Sequence, residues 1–396
     1  MSNFFPFRKV AELSTSCASA LAFSPDGQGL AIGEDSVIRL WNISDRKWVQ
    51  ELPSSGLVTS LSWITSARSS PAVDIICSGS DQGSVMLYTR PRPQGVFLCQ
   101  VNTSPFELGD SVESIAYDRA HTRFAFGSHS GIIKVYDFDA ENCQLTLSWQ
   151  NALGQRDGGA IASLQFYHEG SVLLAASSLA GTGQISCQSA ENGSRFFPVH
   201  FNHPIGSVVL SRSQERFLLY DPLPGRSYLL DRRFRPLHAL STPSSSRIAK
   251  QVALLGHTGH LAACGGDDGN IYVFDTAGGS VYQTLHHDRL AVVYALFPSI
   301  PRYLKGWTPK PSSVQTVVAF DENMVYTLAG VTSYKSERGK VVIWTTARSP
   351  NECWIRWLVI VTIALLFMST VLLGRKVYHH SPIQPMIVDK HSLPTR

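Results

Sequence analysis

One short unit recurs along most of this chain, and that recurrence limits the possible folds more than any other feature. The clearest copy, Ala18 to Ile43, has an alternating strand, a turn at 24–27, a second strand, a tight turn and a third strand. A small residue opens the third strand of each copy: Ser36, Gly83, Gly131, Gly183, Gly225, Gly269 and Gly339. The steps between them are 47, 48, 52, 42, 44 and 70 residues. A four-stranded propeller blade needs about 40 to 50 residues.

The packing of such units predicts a closed ring. Each copy carries apolar residues on both faces of its strands, as in Leu-Ala-Phe and Ile-Arg-Leu-Trp. One sheet cannot bury both of its faces, so successive sheets stack face to face around an axis. We therefore predict an all-β propeller of seven blades over residues 1–347, closed by a strand at 8–13. A loop insertion at 298–313 explains the long last step. Eight blades are the alternative, because Val314 to Phe320 has the pattern of one more strand.

The ends of the third strands resemble those of WD40 repeats. Four of these ends are similar to the Trp-Asp signature of that family: Leu40-Trp41-Asn42, Val135-Tyr136-Asp137, Val273-Phe274-Asp275 and Ile343-Trp344-Thr345. Asp26-Gly27 and Asp268-Gly269 fall at the turns where the family has them, whereas the fourth and fifth units lack the aromatic ending. The resemblance covers roughly residues 8 to 347. It implies a WD40-type β-propeller that binds other proteins.

A different segment follows the repeats. Trp357 to Gly374 contains 18 residues without a charge, and a helix of that length spans about 27 Å. Arg356 precedes it and Arg375 and Lys376 follow it, so basic side chains can reach both interfaces of a bilayer. We predict a single C-terminal transmembrane helix at 357–374, with a juxtamembrane linker at 348–356 and a polar tail at 375–396.

The topology expected for this segment follows from the N-terminal sequence. MSNFFPFRKVAELSTS has neither the apolar core nor the cleavage site of a secretory signal. We therefore expect a tail anchor with the propeller in the cytosol, on the endoplasmic reticulum or, as an alternative, the mitochondrial outer membrane. Basic residues lie on both sides of the segment, so the positive-inside rule gives no direction. Glycosylation triplets at Asn42, Asn102 and Asn192 can report an inverted topology.

Composition and motifs do not indicate catalysis. The formal net charge of +4 and the absence of a Lys/Arg-rich run give no prediction of nucleic-acid binding. The sequence has no GxSxG, HExxH or GxxxxGK[ST] motif and no CxxC pair. We expect no enzyme activity, no cofactor and no metal. Cys77 and Cys264 end apolar strands in equivalent positions and are expected in the core. Cys353, next to the apolar segment, is a candidate for palmitoylation.

Two groups of polar residues have competing interpretations. Asp81, His129, Asp267 and Asp268 fall in the turns before third strands, where they form either a polar ring or, as we favour, caps for local backbone N–H groups. The histidines near one another in sequence are His257, His260, His286 and His287, followed by Asp288. Their spacing matches no zinc motif, so we expect ordinary loop histidines.

The function expected from these features is that of a membrane-tethered scaffold or adaptor that docks proteins through the faces and rim of its propeller. The candidate contact loop contains Tyr303, Lys305, Trp307 and Lys310, because exposed aromatic and basic residues often anchor interfaces. As an alternative, the order of propeller and anchor resembles endoplasmic-reticulum exchange factors for the small GTPase that initiates vesicle coats. Their potassium-binding loop has no match here. A second alternative is a receptor facing the lumen. The oligomeric state is not indicated.

Overall fold

A computed structural model describes residues 5–66, 72–91, 95–153, 159–179, 182–223, 225–243, 248–287, 313–322, 324–332 and 339–347. Within these residues the chain forms seven four-stranded antiparallel sheets, which we number as blades 1 to 7. The chain begins with β1 (Arg8–Thr15), whose partners come from the far end of the propeller sequence. The prediction of an all-β, seven-bladed propeller is confirmed.

The first four blades each use four consecutive strands. Blade 1 contains β2 (Ala20–Phe23), β3 (Gly29–Gly33), β4 (Val37–Asn42) and β5 (Lys47–Pro53). Blade 2 contains β6 (Val58–Ser66), β7 (Val73–Ser80), β8 (Val85–Pro91) and β9 (Leu98–Thr103). Blade 3 contains β10 (Val112–Asp118), β11 (Arg123–Ser128), β12 (Ile132–Asp139) and β13 (Gln144–Ala152). Blade 4 contains β14 (Ala160–Tyr167), β15 (Val172–Leu179), β16 (Thr182–Ser189) and β17 (Arg195–Phe201).

The last three blades complete the ring. Blade 5 contains β18 (Ser207–Leu210), β19 (Arg216–Asp221), β20 (Arg226–Asp231) and β21 (Pro236–Ser241). Blade 6 contains β22 (Val252–Leu255), β23 (Leu261–Gly265), β24 (Asn270–Asp275) and β25 (Ser280–His286). Blade 7 contains β26 (Val314–Glu322), β27 (Val325–Thr332), β28 (Gly339–Thr345) and β1. Residues 314–320, which left an eighth blade open, thus lie in the innermost strand of blade 7.

Glycines recur at the start of third strands because of the backbone conformation there. Gly83 has a φ of +78° and Gly131 one of +86°, in the left-handed region that side chains other than glycine rarely adopt. At Gly83 a Cβ atom would also lie 2.5 Å from the carbonyl oxygen of Glu107. The turn between the second and third strands therefore requires glycine there, and this requirement makes the repeat visible in the sequence.

Hydrogen bonds between inner strands join most neighbouring blades. Ser60 Oγ donates to Val112 O at 2.8 Å, and Ser114 Oγ donates to Ile161 O at 2.7 Å. Ser163 Oγ accepts from Val208 N–H at 2.9 Å. In β6, β10, β14 and β26 a Val/Ile-x-Ser/Thr triplet coincides with a register shift in the ladder. Such a bulge turns the hydroxyl of the third residue toward the next blade.

The N-terminal strand closes the ring. It pairs antiparallel with β28 from Arg8↔Thr345 to Thr15↔Gly339, and the predicted closing segment at 8–13 lies within it. Just before β1, Phe7 is clamped by Gln283 of blade 6: Phe7 N–H donates to Gln283 Oε1 at 2.8 Å, and Gln283 Nε2 donates to Phe7 O at 3.0 Å. Phe7 is buried in the core shared by blades 6 and 7.

The aromatic endings are not required for a complete blade. Blades 4 and 5, which lack them, have four paired strands like the others. In blade 5 the stacked rings of Phe217 and Phe234 lie 4.6 Å apart and take the place of the missing aromatic ending. Cys77 and Cys264 are buried in second strands, as predicted, and burial raises the pKa of the Cys264 thiol to about 12.

The chain divides into two compact units, Met1–Thr346 and Ala347–Arg396, and all seven blades lie in the first. Within the described ranges no helix is long and apolar enough to cross a membrane. The predicted linker at 348–356, transmembrane helix at 357–374 and tail at 375–396 lie outside those ranges.

Candidate protein-docking surface

The propeller has two faces with different turns. Because strands alternate in direction, the turns between second and third strands lie on the same side as the connections between blades; we call this the upper face. The turns between first and second strands and between third and fourth strands form the lower face. Sequence analysis placed its turn aspartates on the upper face and said nothing about the lower one.

Asp268 caps its own upper-face turn. Its carboxylate accepts hydrogen bonds from Asn270 Nδ2 at 2.9 Å and from the Tyr272 hydroxyl at 2.6 Å. Burial, together with the Asp268 carboxylate, raises the pKa of Tyr272 to about 12. His129 Nδ1 instead lies 2.9 Å from Glu113 Oε1. Asp268 thus serves its own blade, as the capping interpretation expects.

Asp267 belongs to a buried network that the sequence did not reveal. The Nζ atom of Lys250 lies 2.6 Å from Asp267 Oδ1, and Ser313 Oγ donates to the same oxygen at 2.7 Å. Lys250 is 1% exposed and also donates to Gly265 O at 3.2 Å. Burial lowers the pKa of Lys250, although Asp267 opposes that shift. The network joins the connection into blade 6, a turn of blade 6 and the start of blade 7.

Three of the described histidines bond to different partners. His260 Nε2 lies 2.9 Å from the Tyr326 hydroxyl, His286 Nδ1 lies 2.8 Å from Asn270 Oδ1, and His287 Nε2 donates to Gly330 O at 2.9 Å. Burial lowers the pKa of His260. Over the described part of the chain, no group of three His, Cys, Asp or Glu side chains could hold a metal ion. Asp288 lies outside it.

Two sites predicted from the sequence fall outside the part of the chain that the structure describes. The contact-loop residues Tyr303, Lys305, Trp307 and Lys310 and the palmitoylation candidate Cys353 all lie outside the described residues.

The central channel is lined by residues from the inner strands of all seven blades and has a volume of about 300 Å³. Its polar lining includes Ser60, Ser114 and Ser163, whose hydroxyls already bond to the next blade. These groups hold the ring together. The channel therefore offers few uncommitted polar groups to a ligand.

The lower face of blade 5 carries a turn that is held rigidly. This arginine turn, residues 231–235, joins β20 to β21. The Asp231 carboxylate accepts from Arg233 N–H at 2.8 Å and from Arg235 N–H at 2.9 Å. Phe234 has a φ of +59°, and its ring packs on Phe217 at 4.6 Å. Backbone bonds and the half-buried Phe234 ring together fix the direction in which the neighbouring side chains project.

Most charges around the arginine turn are already paired. Arg235 forms an ion pair with Asp231 at 2.7 Å, and this arginine lowers the pKa of the aspartate. Arg216 Nη1 donates to Thr276 Oγ1 of blade 6 at 2.8 Å. Arg232 and Arg233 are exposed and form no ion pair with any described residue. Two guanidinium groups are thus presented to solvent from a preorganised turn.

A cavity of about 430 Å³ adjoins these groups. It is lined by Glu215, Arg216, Asp231, Arg232, Arg233, Arg235 and Leu237. Four arginines face two carboxylates there, and the Leu237 side chain, 46% exposed, adds an apolar contact. The sequence signal was the run Asp-Arg-Arg-Phe-Arg at 231–235. The structure adds Arg216 from the neighbouring strand β19 to this run.

A family comparison bears on the part of the chain where the ring closes. Residues 8–42 match the WD domain, G-beta repeat. The match covers β1, which completes blade 7, and the first three strands of blade 1. A search of curated proteins found no match to the chain. The repeat match and the seven four-stranded sheets support a WD40-type propeller, a kind of domain that generally binds other proteins.

Proposed function

We propose that this protein is a scaffold that docks an acidic segment of a partner protein on the arginine turn. The observation that carries the proposal is the pair of exposed, unpaired guanidinium groups of Arg232 and Arg233 on a rigid turn. Arginine binds carboxylates through two parallel hydrogen bonds, and a preorganised turn loses little entropy on binding. The exposed Leu237 beside the turn accommodates an apolar residue of the same segment.

The docking proposal is tested by charge reversal in the full chain. The probe is a fluorescent peptide of alternating Glu and Asp with one central leucine, and its Gln/Asn counterpart serves as the neutral control. We expect Arg232→Glu with Arg233→Glu to weaken anisotropy-detected binding at least tenfold, about 1.4 kcal/mol. The matched control is Arg46→Glu with Lys47→Glu, at the equivalent lower-face turn of blade 1, and it should change binding less than twofold.

Other outcomes would overturn the docking proposal. Equal weakening by both double variants would mean that the peptide senses only overall charge. Binding of vesicles containing phosphatidylserine, without binding of the acidic peptide, would assign the arginine turn to a lipid surface instead. Measurements at two salt concentrations separate these cases, because a built site keeps its preference for one variant as screening increases.

We further propose that residues 357–374 tether the scaffold to a membrane with the propeller in the cytosol, most simply at the endoplasmic reticulum. The 18 uncharged residues support this proposal. Protease protection on microsomes, with a tag at each end, tests it. Digestion of the propeller with survival of the last 22 residues is expected. Sugar on Asn102 or Asn192, both exposed in the propeller, would instead indicate the lumen-facing receptor.

The exchange-factor alternative stays a prediction. It is tested by nucleotide release from purified small GTPases of the early secretory pathway in the presence of the full chain. If release is accelerated and stays so when Arg232 and Arg233 are both replaced by glutamate, the GTPase site lies elsewhere on the propeller.

A further inference from the structure

A second cavity opens between blades 4 and 5, apart from the arginine pocket. It has a volume of about 340 Å³ and lies between the end of β17 and strands β19 and β20. Its walls are mainly apolar and include Phe201, Leu219, Leu230 and Phe234. Ligand sites of this size are typically apolar clefts with a few placed polar groups. The acidic group among the lining residues is the carboxylate of Asp221, and His200, Asn202 and His203 also line the cavity.

Asp221 is unusual because its carboxylate is buried without a cation. The residue is 2% exposed, and Oδ1 accepts one hydrogen bond from Leu223 N–H at 3.0 Å. Across the described ranges no Lys or Arg forms an ion pair with it. An unpaired carboxylate in an apolar site carries a substantial desolvation cost. Burial accordingly raises the pKa of Asp221, although the Leu223 amide and His203 oppose that shift.

The turn itself does not require a charge at this position. The hydrogen bond to Leu223 N–H is an Asx-type cap, which asparagine makes equally well through its side-chain oxygen. The negative charge of Asp221 therefore serves no part of the cap, although burying it carries a desolvation cost. A ligand that supplies a positive charge to the cleft would remove that cost.

We propose that the cleft between blades 4 and 5 binds a small organic amine. Its ammonium group pairs with the Asp221 carboxylate, and its apolar body packs against Phe201, Leu219 and Leu230. A metal ion fits poorly: Asp221 supplies the cavity's one carboxylate, and among the described residues no group of three His, Cys, Asp or Glu side chains is arranged to hold a metal. An aromatic ring on a two-carbon stem fits the volume and lets the ammonium reach the buried group.

The test uses the full chain and phenethylamine as the probe, with 2-phenylethanol as the neutral isostere. We expect saturable binding of the amine by calorimetry and at least tenfold weaker binding of the alcohol. Asp221→Asn keeps the cap on Leu223 and removes the charge, so it should weaken amine binding at least tenfold. The control is Asp139→Asn, which removes a carboxylate from an exposed turn outside this cavity and should leave the affinity unchanged.

Three results would overturn the assignment. These are no saturable amine binding, equal binding of amine and alcohol by the wild-type chain, and undiminished amine binding by Asp221→Asn. The wild-type comparison needs no variant, so it stands even if Asp221→Asn folds poorly. Binding of acetyl-lysinamide in preference to phenethylamine would assign the cleft to a lysine side chain of a partner. Because Asp221→Asn leaves the arginine turn intact, acidic-peptide binding should persist, and failure here leaves the docking proposal untouched.

Discussion

Lys250 brings a positive charge into the interior at the junction of blades 5, 6 and 7. Its ammonium pairs with Asp267 and donates to Gly265 O, and both contacts hold segments that meet at the start of blade 7. A buried ion pair of this kind contributes little net stability, but loss of one partner leaves the other charge uncompensated. The pair therefore acts mainly to fix one arrangement of three segments.

We predict that Lys250→Met lowers the free energy of unfolding by about 3 kcal/mol, because Asp267 is left buried without its cation. The double variant Lys250→Met with Asp267→Leu should recover most of that loss, since an apolar pair carries no desolvation cost. Chemical denaturation of the three chains measures both values. A double variant as unstable as the single one would show that the network stabilises by more than charge pairing.

The partners of individual polar side chains were the hardest feature to predict from the sequence. Asp221 and Asp267 both sit in upper-face turns, yet one is unpaired in a cleft and the other faces a buried lysine. Which of these occurs depends on the neighbouring blade, and a local pattern does not carry that information. The turn glycines were predictable because φ is a local property that glycine alone satisfies cheaply.

At the scale of the element, the outer strands β5 and β25 each carry a glutamine whose side chain holds the backbone of the neighbouring blade. Gln50 of β5 holds the backbone of Phe97 in blade 2 with bonds of 2.8 and 2.9 Å, just as Gln283 holds Phe7. Each glutamine directly follows the extra residue of a β-bulge in its own outer strand, Val49 in β5 and Tyr282 in β25. One amide therefore satisfies both backbone groups of a phenylalanine that precedes the next outer strand.

We predict that Gln50→Leu and Gln283→Leu destabilise the propeller similarly, by about 1–3 kcal/mol, because each leaves a backbone N–H and C=O without a partner. Only Gln283→Leu should also expose the N-terminal segment. Limited proteolysis near residues 5–8, followed by mass spectrometry, distinguishes the two variants. Equal protection of that segment in both would mean that pairing with β28 alone holds it.

Ion pairs across the closing strand make it sensitive to acid. Glu12 pairs with Lys340 of β28 at 2.8 Å and with Lys9, and these lysines lower the pKa of Glu12 to about 2. Because the pKa is lower in the folded state, the stabilisation is present above about pH 4.5 and is lost as the pH falls toward 2.

We predict that Glu12→Gln costs about 1 kcal/mol near pH 7, a small value because the pair is partly exposed to solvent. The difference in thermal midpoint between wild type and variant should shrink below pH 4 and vanish near pH 2. Scans from pH 2 to 7 measure it. A difference that persists unchanged at pH 2 would rule out ionisation of Glu12 as its source.

Strand-level structure was largely predictable, because apolar alternation and turn residues are local signals. The Val/Ile-x-Ser/Thr triplets that place hydroxyls between blades were also visible in the sequence, at 58–60, 112–114 and 161–163. The role of these hydroxyls was not visible, since the hydrogen-bond partner of each lies about 50 positions further along the chain.

At the scale of the whole molecule, one strand decides whether the ring is closed. Without β1, blade 7 has three strands and exposes the edge of β28, while Phe7 and Leu13 leave the core. Exposed strand edges favour pairing with other chains. Closure therefore protects the protein against aggregation as well as stabilising it.

We predict that deletion of residues 5–15 lowers the thermal midpoint sharply and produces soluble aggregates, because the edge of β28 is unpaired. A synthetic peptide of residues 5–16, added in excess, should restore the monomer measured by light scattering. The matched peptide with Phe7→Asp should not, since the clamped phenylalanine is buried. Full stability of the deletion variant would show that three strands suffice for blade 7.

Because the chain is synthesised from its N-terminus, closure of the ring is delayed until the partners of β1 have been made. The ribosome makes Phe7 276 residues before its partner Gln283. At about 5–20 residues per second, the N-terminal segment waits roughly 15 to 55 seconds for that partner to be made. During this interval a strand with unpaired hydrogen-bonding groups is present on the nascent chain. The strand that closes the ring is thus synthesised long before its partners, and until they emerge its unpaired edge must be shielded from other chains.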